Sequence, residues 1–191
     1  MEKERKKYYF STFDLILMAI IAGIGGVING AYMYPFIQPF KLLFPFLGNL
    51  AGIPLTGLYV IWPIIVRLLI RKRGASTLYG IIQGCIEYFG FGNPLLGPWA
   101  ILVATTEGFL IDVAFAFFKE KAALLSSILG GALATLLADL IFFFLRKMIS
   151  PRELYVGGLV AIISGIILGG ILGWLIGKAI YNTGIIKRGN L

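Results

Sequence analysis

Charge along this chain is bunched into short clusters separated by long apolar runs, the pattern of a polytopic helical membrane protein. A helix needs about 20 mostly apolar residues to cross the hydrocarbon of a bilayer. Six spans are predicted on that basis, at about 12–34, 55–70, 75–89, 97–118, 122–145 and 154–181. Ser11 with Asp14 three residues on marks a helix N-terminus at the interface. Span 2 stops at Arg71-Lys72-Arg73-Gly74, span 4 at Lys119-Glu120-Lys121 and span 5 at Arg146-Lys147, while Gly90 to Pro94 reads as a turn. Between spans 1 and 2, Pro35, Pro39, Pro45 and Pro54 alternate with Phe36, Phe40, Phe44 and Phe46. So apolar a loop is expected to fold back on the bundle as a lid or partial helix. The basic stretch Met1 to Tyr8 leads into an apolar run too long for a signal-peptide core, which is read as a retained first helix.

These spans imply an all-α membrane protein, a six-transmembrane-helix bundle forming one integral domain over residues 1–191. Six crossings put both termini on one side, and Lys/Arg counts choose the side. With the termini lie Lys3, Arg5, Lys6, Lys7, Arg71, Lys72, Arg73, Lys119, Lys121, Lys187 and Arg188; opposite them lie only Lys41, Arg146, Lys147 and Arg152. Both termini are therefore expected in the cytoplasm, with the protein in the cell membrane. Small residues recur at intervals of four: Gly165, Gly169, Gly173 and Gly177 on span 6, and Ala19 with Gly23, and Ala22 with Gly26 and Gly30, on span 1. Such stripes let helices approach closely in lipid. Intramolecular packing is the expectation for span 6, while for span 1 intramolecular packing and a docking face for a partner membrane protein are both open.

Composition narrows the chemistry. Hydrophobic residues make up 59% of the chain and charged residues 14%, leaving little for a separate soluble domain. The net charge of +8 does not point to nucleic acid, because the Lys and Arg sit at span ends, where topology and anionic lipid use them. Cys85 is the single cysteine and there is no histidine, which removes the commonest metal ligand and the commonest general base. No metal or cofactor is predicted.

Five ionisable residues nevertheless fall inside the spans: Arg67, Glu87, Glu107, Asp112 and Asp139. Each costs about 2.5–3.5 kcal/mol at bilayer depth even on the lenient scale, so they should face the interior, paired or lining a cavity. At about 1.5 Å of rise per residue, Glu87 and Asp139 fall in the outer half and Glu107 near mid-depth, a set able to converge on an outward-opening site. Asp112 is about 140° around the helix from Glu107 and level with Arg67, so an Arg67–Asp112 structural pair is expected. The alternative for the three outer acids is a neutral, hydrogen-bonded carboxylic acid. Aromatic residues at the same level are Tyr34, Tyr59, Trp62, Tyr88 and Trp99. They are either an interfacial belt or rings that stack on a flat cation, with Asn93 in the outer turn adding amide contacts.

Gly57-Leu58-Tyr59 and Ile70-Arg71-Lys72-Arg73-Gly74-Ala75 are followed by Glu87, Gly92-Asn93-Pro94, Glu107-Gly108 with Asp112, and Ala138-Asp139-Leu140. Ile163-Ser164-Gly165, Gly177-Lys178-Ala179 and Thr183-Gly184 complete the series. In this order the motifs resemble YkoE-type S components, the substrate-binding subunits of energy-coupling-factor (ECF) vitamin transporters. The resemblance implies capture of thiamine, or its hydroxymethylpyrimidine part, from outside. It also implies docking through the small-residue face Ala19, Ala22, Gly23 and Gly26 onto an ECF transmembrane coupling subunit driven by two cytoplasmic ATPases. The chain has no phosphate-binding Gly-x-x-x-x-Gly-Lys-Ser/Thr loop of its own, so it is expected to be no enzyme. It departs from the family pattern in carrying Glu107 where the family prefers glutamine and Asp112 where it prefers glutamate. The long Pro-rich outer loop is a further departure. Candidate substrate contacts are Glu87, Glu107, Asp139, Tyr59, Trp62, Tyr88, Asn93 and Trp99. Other readings are an S component for a different vitamin and a self-sufficient proton- or cation-coupled carrier; an intramembrane enzyme is disfavoured by the angle between Glu107 and Asp112.

Overall fold

A computed structural model describes residues 9–91, 96–118, 122–145, 147 and 150–184. The first helix, α1 (Thr12–Val27), runs through a π-helical turn at Ile28–Tyr32 into α2 (Met33–Leu43). Its start is a capping box: Ser11 N–H donates to Asp14 Oδ2 at 2.8 Å and Asp14 N–H to Ser11 Oγ at 3.1 Å. Lys72 closes an ion pair on the same carboxylate. After α2 come 3₁₀ turns over Pro45–Leu58, bent at Gly48, whose φ of 54° and ψ of −123° suit glycine. Then follow α3 (Ile61–Ile70), α4 (Ala75–Cys85) with a π-helical turn at Ile86–Gly90, α5 (Trp99–Phe118) and α6 (Ala123–Leu145). The last rod joins a π-helical turn at Glu153–Gly157, α7 (Gly158–Ser164), a second π-helical stretch at Gly165–Leu172 and α8 (Gly173–Asn182).

Among the described residues, five helices have the length and apolarity to cross a membrane: Thr12–Tyr32, Leu50–Ile70, Trp99–Phe118, Ala123–Leu145 and Glu153–Asn182. The expected span at 75–89 is instead an 11-residue α-helix continued by a five-residue π-helical turn, short of the length a crossing helix takes. The 35–54 segment is also more ordered than a loop. Helix α2 carries the first rod on past Tyr34 with Pro39 inside it, and the second crossing begins at Leu50 rather than near 55.

The second crossing is the central one: 61% of its apolar window is buried inside the protein, against 33–39% for the other four. On one side α3 shares a core with α1 and α4 (Met18, Ile21, Ile65, Leu69, Tyr79). On the other it packs on α5 and α6 through Val60, Ile64, Ile111, Phe115 and Ala134. Both described chain ends lie at one end of the bundle, since Arg73 N–H donates to Tyr9 Oη at 3.0 Å and the Arg71 guanidinium stacks 4.2 Å from the Tyr181 ring centre.

Glycines set the spacing. A Cβ on Gly80 would land on the Ala104 carbonyl oxygen, and one on Gly108 on the Ser76 carbonyl oxygen, so α4 and α5 touch backbone to backbone. Gly131 and Gly165 do the same between α6 and the last rod. The stripe Gly165, Gly169, Gly173 and Gly177 packs inside the molecule, with Ile64 against Gly173 and Leu68 against Gly177. The span 1 stripe divides. Ala22 and Gly26 are buried, Gly26 against Ile86 of the α4 π turn, which corrects their assignment to a partner-docking face. Ala19 is exposed and Gly23 has open space where a Cβ would be, because the two rows lie about 60° apart on the helix and only one can face α4.

Helix propensity favours alanine over glycine by about 1 kcal/mol at either position. Gly23→Ala is therefore expected to leave the thermal midpoint in detergent unchanged or slightly raised. Gly108→Ala should lower it by up to roughly 8 °C, since overpacking costs about 1–3 kcal/mol and outweighs that gain.

Candidate functional site

Helices α5 and α6 offer the same register to one cavity. Ala100, Val103, Ala104 and Glu107 line it from α5, and Thr135, Ala138, Asp139 and Phe142 from α6, each set spaced i, i+3, i+4, i+7. The π turn of α4 adds Glu87, the 3₁₀ segment adds Gly52, Ile53 and Thr56, Tyr59 follows directly after it, and α2 adds Ile37 and Lys41; Leu96 completes the wall. The cavity has a volume of about 110 Å³, several times what one water needs. Its wall is mostly apolar, with a few convergent polar groups, the usual character of a small-molecule site.

Glu87, Glu107 and Asp139 are 4%, 7% and 5% exposed, so all three are withdrawn from bulk water. Gln83, one helical turn before Glu87, donates Nε2–H to its Oε1 at 2.7 Å. Thr56 Oγ1 lies 2.8 Å from the Ile53 carbonyl oxygen and 3.1 Å from Asp139 Oδ2, one hydroxyl shared between two acceptors. Glu107 lies in the electrostatic field of both Glu87 and Asp139, and Tyr59 in that of all three acids. The Tyr59 hydroxyl is buried with no hydrogen-bond partner among the described residues. A ligand that brings positive charge or several N–H donors would meet carboxylates withdrawn from bulk water.

The other named residues separate from this set. Trp62 turns away and wedges its indole over Gly25 of α1, where glycine leaves the notch for it. Trp99 is 49% exposed: it stands about 100° round α5 from Ala100, off the cavity-facing row. Tyr88 follows Glu87 by one residue, so its half-buried ring turns off the cavity and tilts against Phe89 at 4.8 Å between centroids. Asn93 and the side chain of Tyr34 lie outside the described residues. Arg67 and Asp112 form an ion pair, Nε to Oδ1 at 3.3 Å, on the far side of α5 from Glu107. Thr77 donates from N–H and Oγ1 to Asp112 Oδ2 at 2.9 and 2.7 Å, and the Arg67 guanidinium lies 5.0 Å from the Phe115 ring centre.

Sequence reasoning passed over Ile37, Lys41, Thr56, Gln83 and Thr135. Gln83 and Thr135 carried a usable signal, each four residues from an intramembrane acid on the same helix. Lys41 and Thr56 carried none, because what brings them to the cavity is the course of α2 and the bend at Gly48 in the 3₁₀ segment.

Residues 13–137 match the family described as "ABC-type cobalt transport system, permease component". The chain is 27% identical over 186 residues to the "Putative HMP/thiamine permease protein YkoE" of Bacillus subtilis (strain 168), covering 91% of this chain and 86% of that protein. It also matches the crystal structure of an S-component of an ECF transporter with a TM-score of 0.79 and 25% identity, covering 94% of this chain and 89% of the other. The chain belongs to this family, as a YkoE-type S component of ECF transporters. It is a multi-pass helical membrane protein with the S-component fold, and the resemblance read from its motifs is borne out. In an S component, a non-enzymatic subunit whose work is to bind cargo, a cavity of buried carboxylates is the natural candidate site.

Removing one member of a buried ion pair leaves an uncompensated charge, which costs about 3–5 kcal/mol. Arg67→Met and Asp112→Leu are each expected to destabilise the S component by that order. The double variant should recover most of the loss, read as thermal midpoints of the four proteins in detergent. Losses that simply add would show that the two side chains are not coupled.

Proposed function

We propose that this S component captures a small nitrogen heterocycle of the thiamine or hydroxymethylpyrimidine type from outside the cell, for ATP-driven uptake by partner subunits. The observation that carries the reading is the convergence of Glu87, Glu107 and Asp139 with Tyr59 on one mostly apolar cavity. An aminopyrimidine supplies N–H donors to carboxylates, and a thiazolium supplies positive charge. The name of the Bacillus subtilis relative supports the same class of cargo. The family description speaks of cobalt. Against a metal cargo stand the lack of histidine in the chain and the lack, among the described residues, of any group of three His, Cys, Asp or Glu placed to hold an ion.

In this reading the chain is a single integral domain that crosses the cell membrane six times, α4 with its π turn making the short third crossing. Both termini are cytoplasmic, on the side richer in Lys and Arg, and the cavity opens toward the other side. Uptake requires an ECF transmembrane coupling subunit and two cytoplasmic ATPases. The exposed Ala19–Gly23 edge of α1 is the contact that remains for the coupling subunit.

Isothermal titration of the purified protein is expected to show saturable binding of thiamine or hydroxymethylpyrimidine. Glu87→Gln or Asp139→Asn should weaken it by about 2–5 kcal/mol, roughly 30-fold or more. A vitamin panel in which only an unrelated compound binds would move the chain to another cargo. Liposomes holding the protein without its partner subunits are expected to accumulate nothing; cargo uptake there would instead identify a self-sufficient carrier.

A further inference from the structure

The cavity is acidic, yet a lysine is among the residues that line it. Ile37 and Lys41, one turn apart on α2, are the two residues that this helix contributes to the wall. Lys41 is half-buried, while Leu42 and Leu43 beside it are 82% and 72% exposed, so this end of α2 lies at the surface and Lys41 stands at the rim. The three carboxylates are held further in, each less than a tenth exposed. Among the described residues the ion pairs are Arg67 with Asp112 and Lys72 with Asp14, so Lys41 is within ion-pair distance of none of the cavity acids. Carboxylates at the floor and an ammonium at the rim make the site bipolar.

Resting on the cargo class proposed above, we infer that Lys41 is the residue that orients cargo and selects for an oxygen-bearing end. An ammonium has three donors and no acceptor, so it binds an alcohol or phosphate oxygen and repels a cation. A ligand that lays its amino group and adjacent ring nitrogen on Glu87, Glu107 and Asp139 can turn the substituent beside that edge out toward Lys41. That substituent is accepted when it carries oxygen and is left without a partner when it is a methyl group. The reversed pose sets ring charge against ammonium and oxygen against carboxylate, so the two ends of the cavity exclude it together. Thr56 and Tyr59 do not duplicate this selection, because their hydroxyls accept as well as donate.

The test is isothermal titration of the purified full-length protein with hydroxymethylpyrimidine, its phosphate ester, and the analogue with methyl in place of hydroxymethyl. The wild type is expected to prefer the alcohol over the methyl analogue by about tenfold, as for a hydrogen bond to a charged group, and to bind the phosphate ester at least as well. Lys41→Gln should reduce that preference to within about threefold and turn the ester into the weakest ligand, with the methyl analogue's affinity little changed; Lys41→Arg should keep the wild-type order. A preference that survives Lys41→Gln overturns the inference, as does equal weakening of all three ligands, which is the mark of a structural role. An alcohol and methyl pair on a pyridine ring runs beside the pyrimidines. Binding of that pair alone refutes the proposed cargo and still decides the role of Lys41, whereas binding of neither pair overturns both.

Discussion

Three carboxylates are buried among apolar helices, and two of them are met by polar side chains of the protein. Gln83 reaches Glu87 along its own helix, and Thr56 reaches Asp139 across the bundle from the 3₁₀ segment. Glu107 is held on the same cavity wall, in the field of the other two. A carboxylate in lipid costs several times the thermal energy, so the helices bearing these residues can be arranged only with the acids facing inward. That restriction sets the rotation of α5 and α6 about their axes, and the outward rows follow from it. Phe109 on α5 and Phe144 on α6 stand exposed on the opposite side, where lipid is the solvent.

Between helices in lipid there is little hydrophobic gain to be had, so close packing carries the association. Gly80, Gly84 and Gly108 let α4 and α5 meet at their backbones, and Gly131, Gly165 and Gly170 do the same for α6 and the last rod. Gly57 N–H donates to Ser164 Oγ at 2.9 Å while the Ser164 hydroxyl donates to the Pro54 carbonyl oxygen at 2.8 Å, which anchors the 3₁₀ segment to α7. Thr56 is thereby held where it can reach Asp139. The small residues and the carboxylates are thus parts of one arrangement: the first draw the backbones together, and the second occupy the space left where the helices part.

The second ion system works separately. Arg67, Asp112, Thr77 and Phe115 tie α3, α4 and α5 together nearer the end of the bundle where the chain termini meet. Because Asp112 is spent there, it takes no part in the cavity. One helix therefore carries an acid with a structural partner and, five residues earlier, an acid that faces open space. The carboxylates that line the cavity are Glu87, Glu107 and Asp139, and among the described residues the only cationic side chain on the same wall is Lys41.

Membrane location, helical class, the inward direction of the acids and the Arg67–Asp112 pair were legible from residues alone, because each follows from a penalty that lipid imposes on a single side chain or from the fixed angle of a helix. Ser11 and Asp14 were legible for the same local reason. What the sequence could not determine was which face of α1 turned inward, since Ala19–Gly23 and Ala22–Gly26–Gly30 are equally good small-residue rows until Ile86 and Trp62 choose one. Nor could it place Trp62 and Trp99 off the cavity, because an aromatic ring is at home in a core, an interface or a binding site, and only its neighbours separate these. The cavity's outer wall was hidden for a further reason. Lys41 and Thr56 come to it through the course of α2 and the bend at Gly48, long-range placements that no local rule of charge or period encodes.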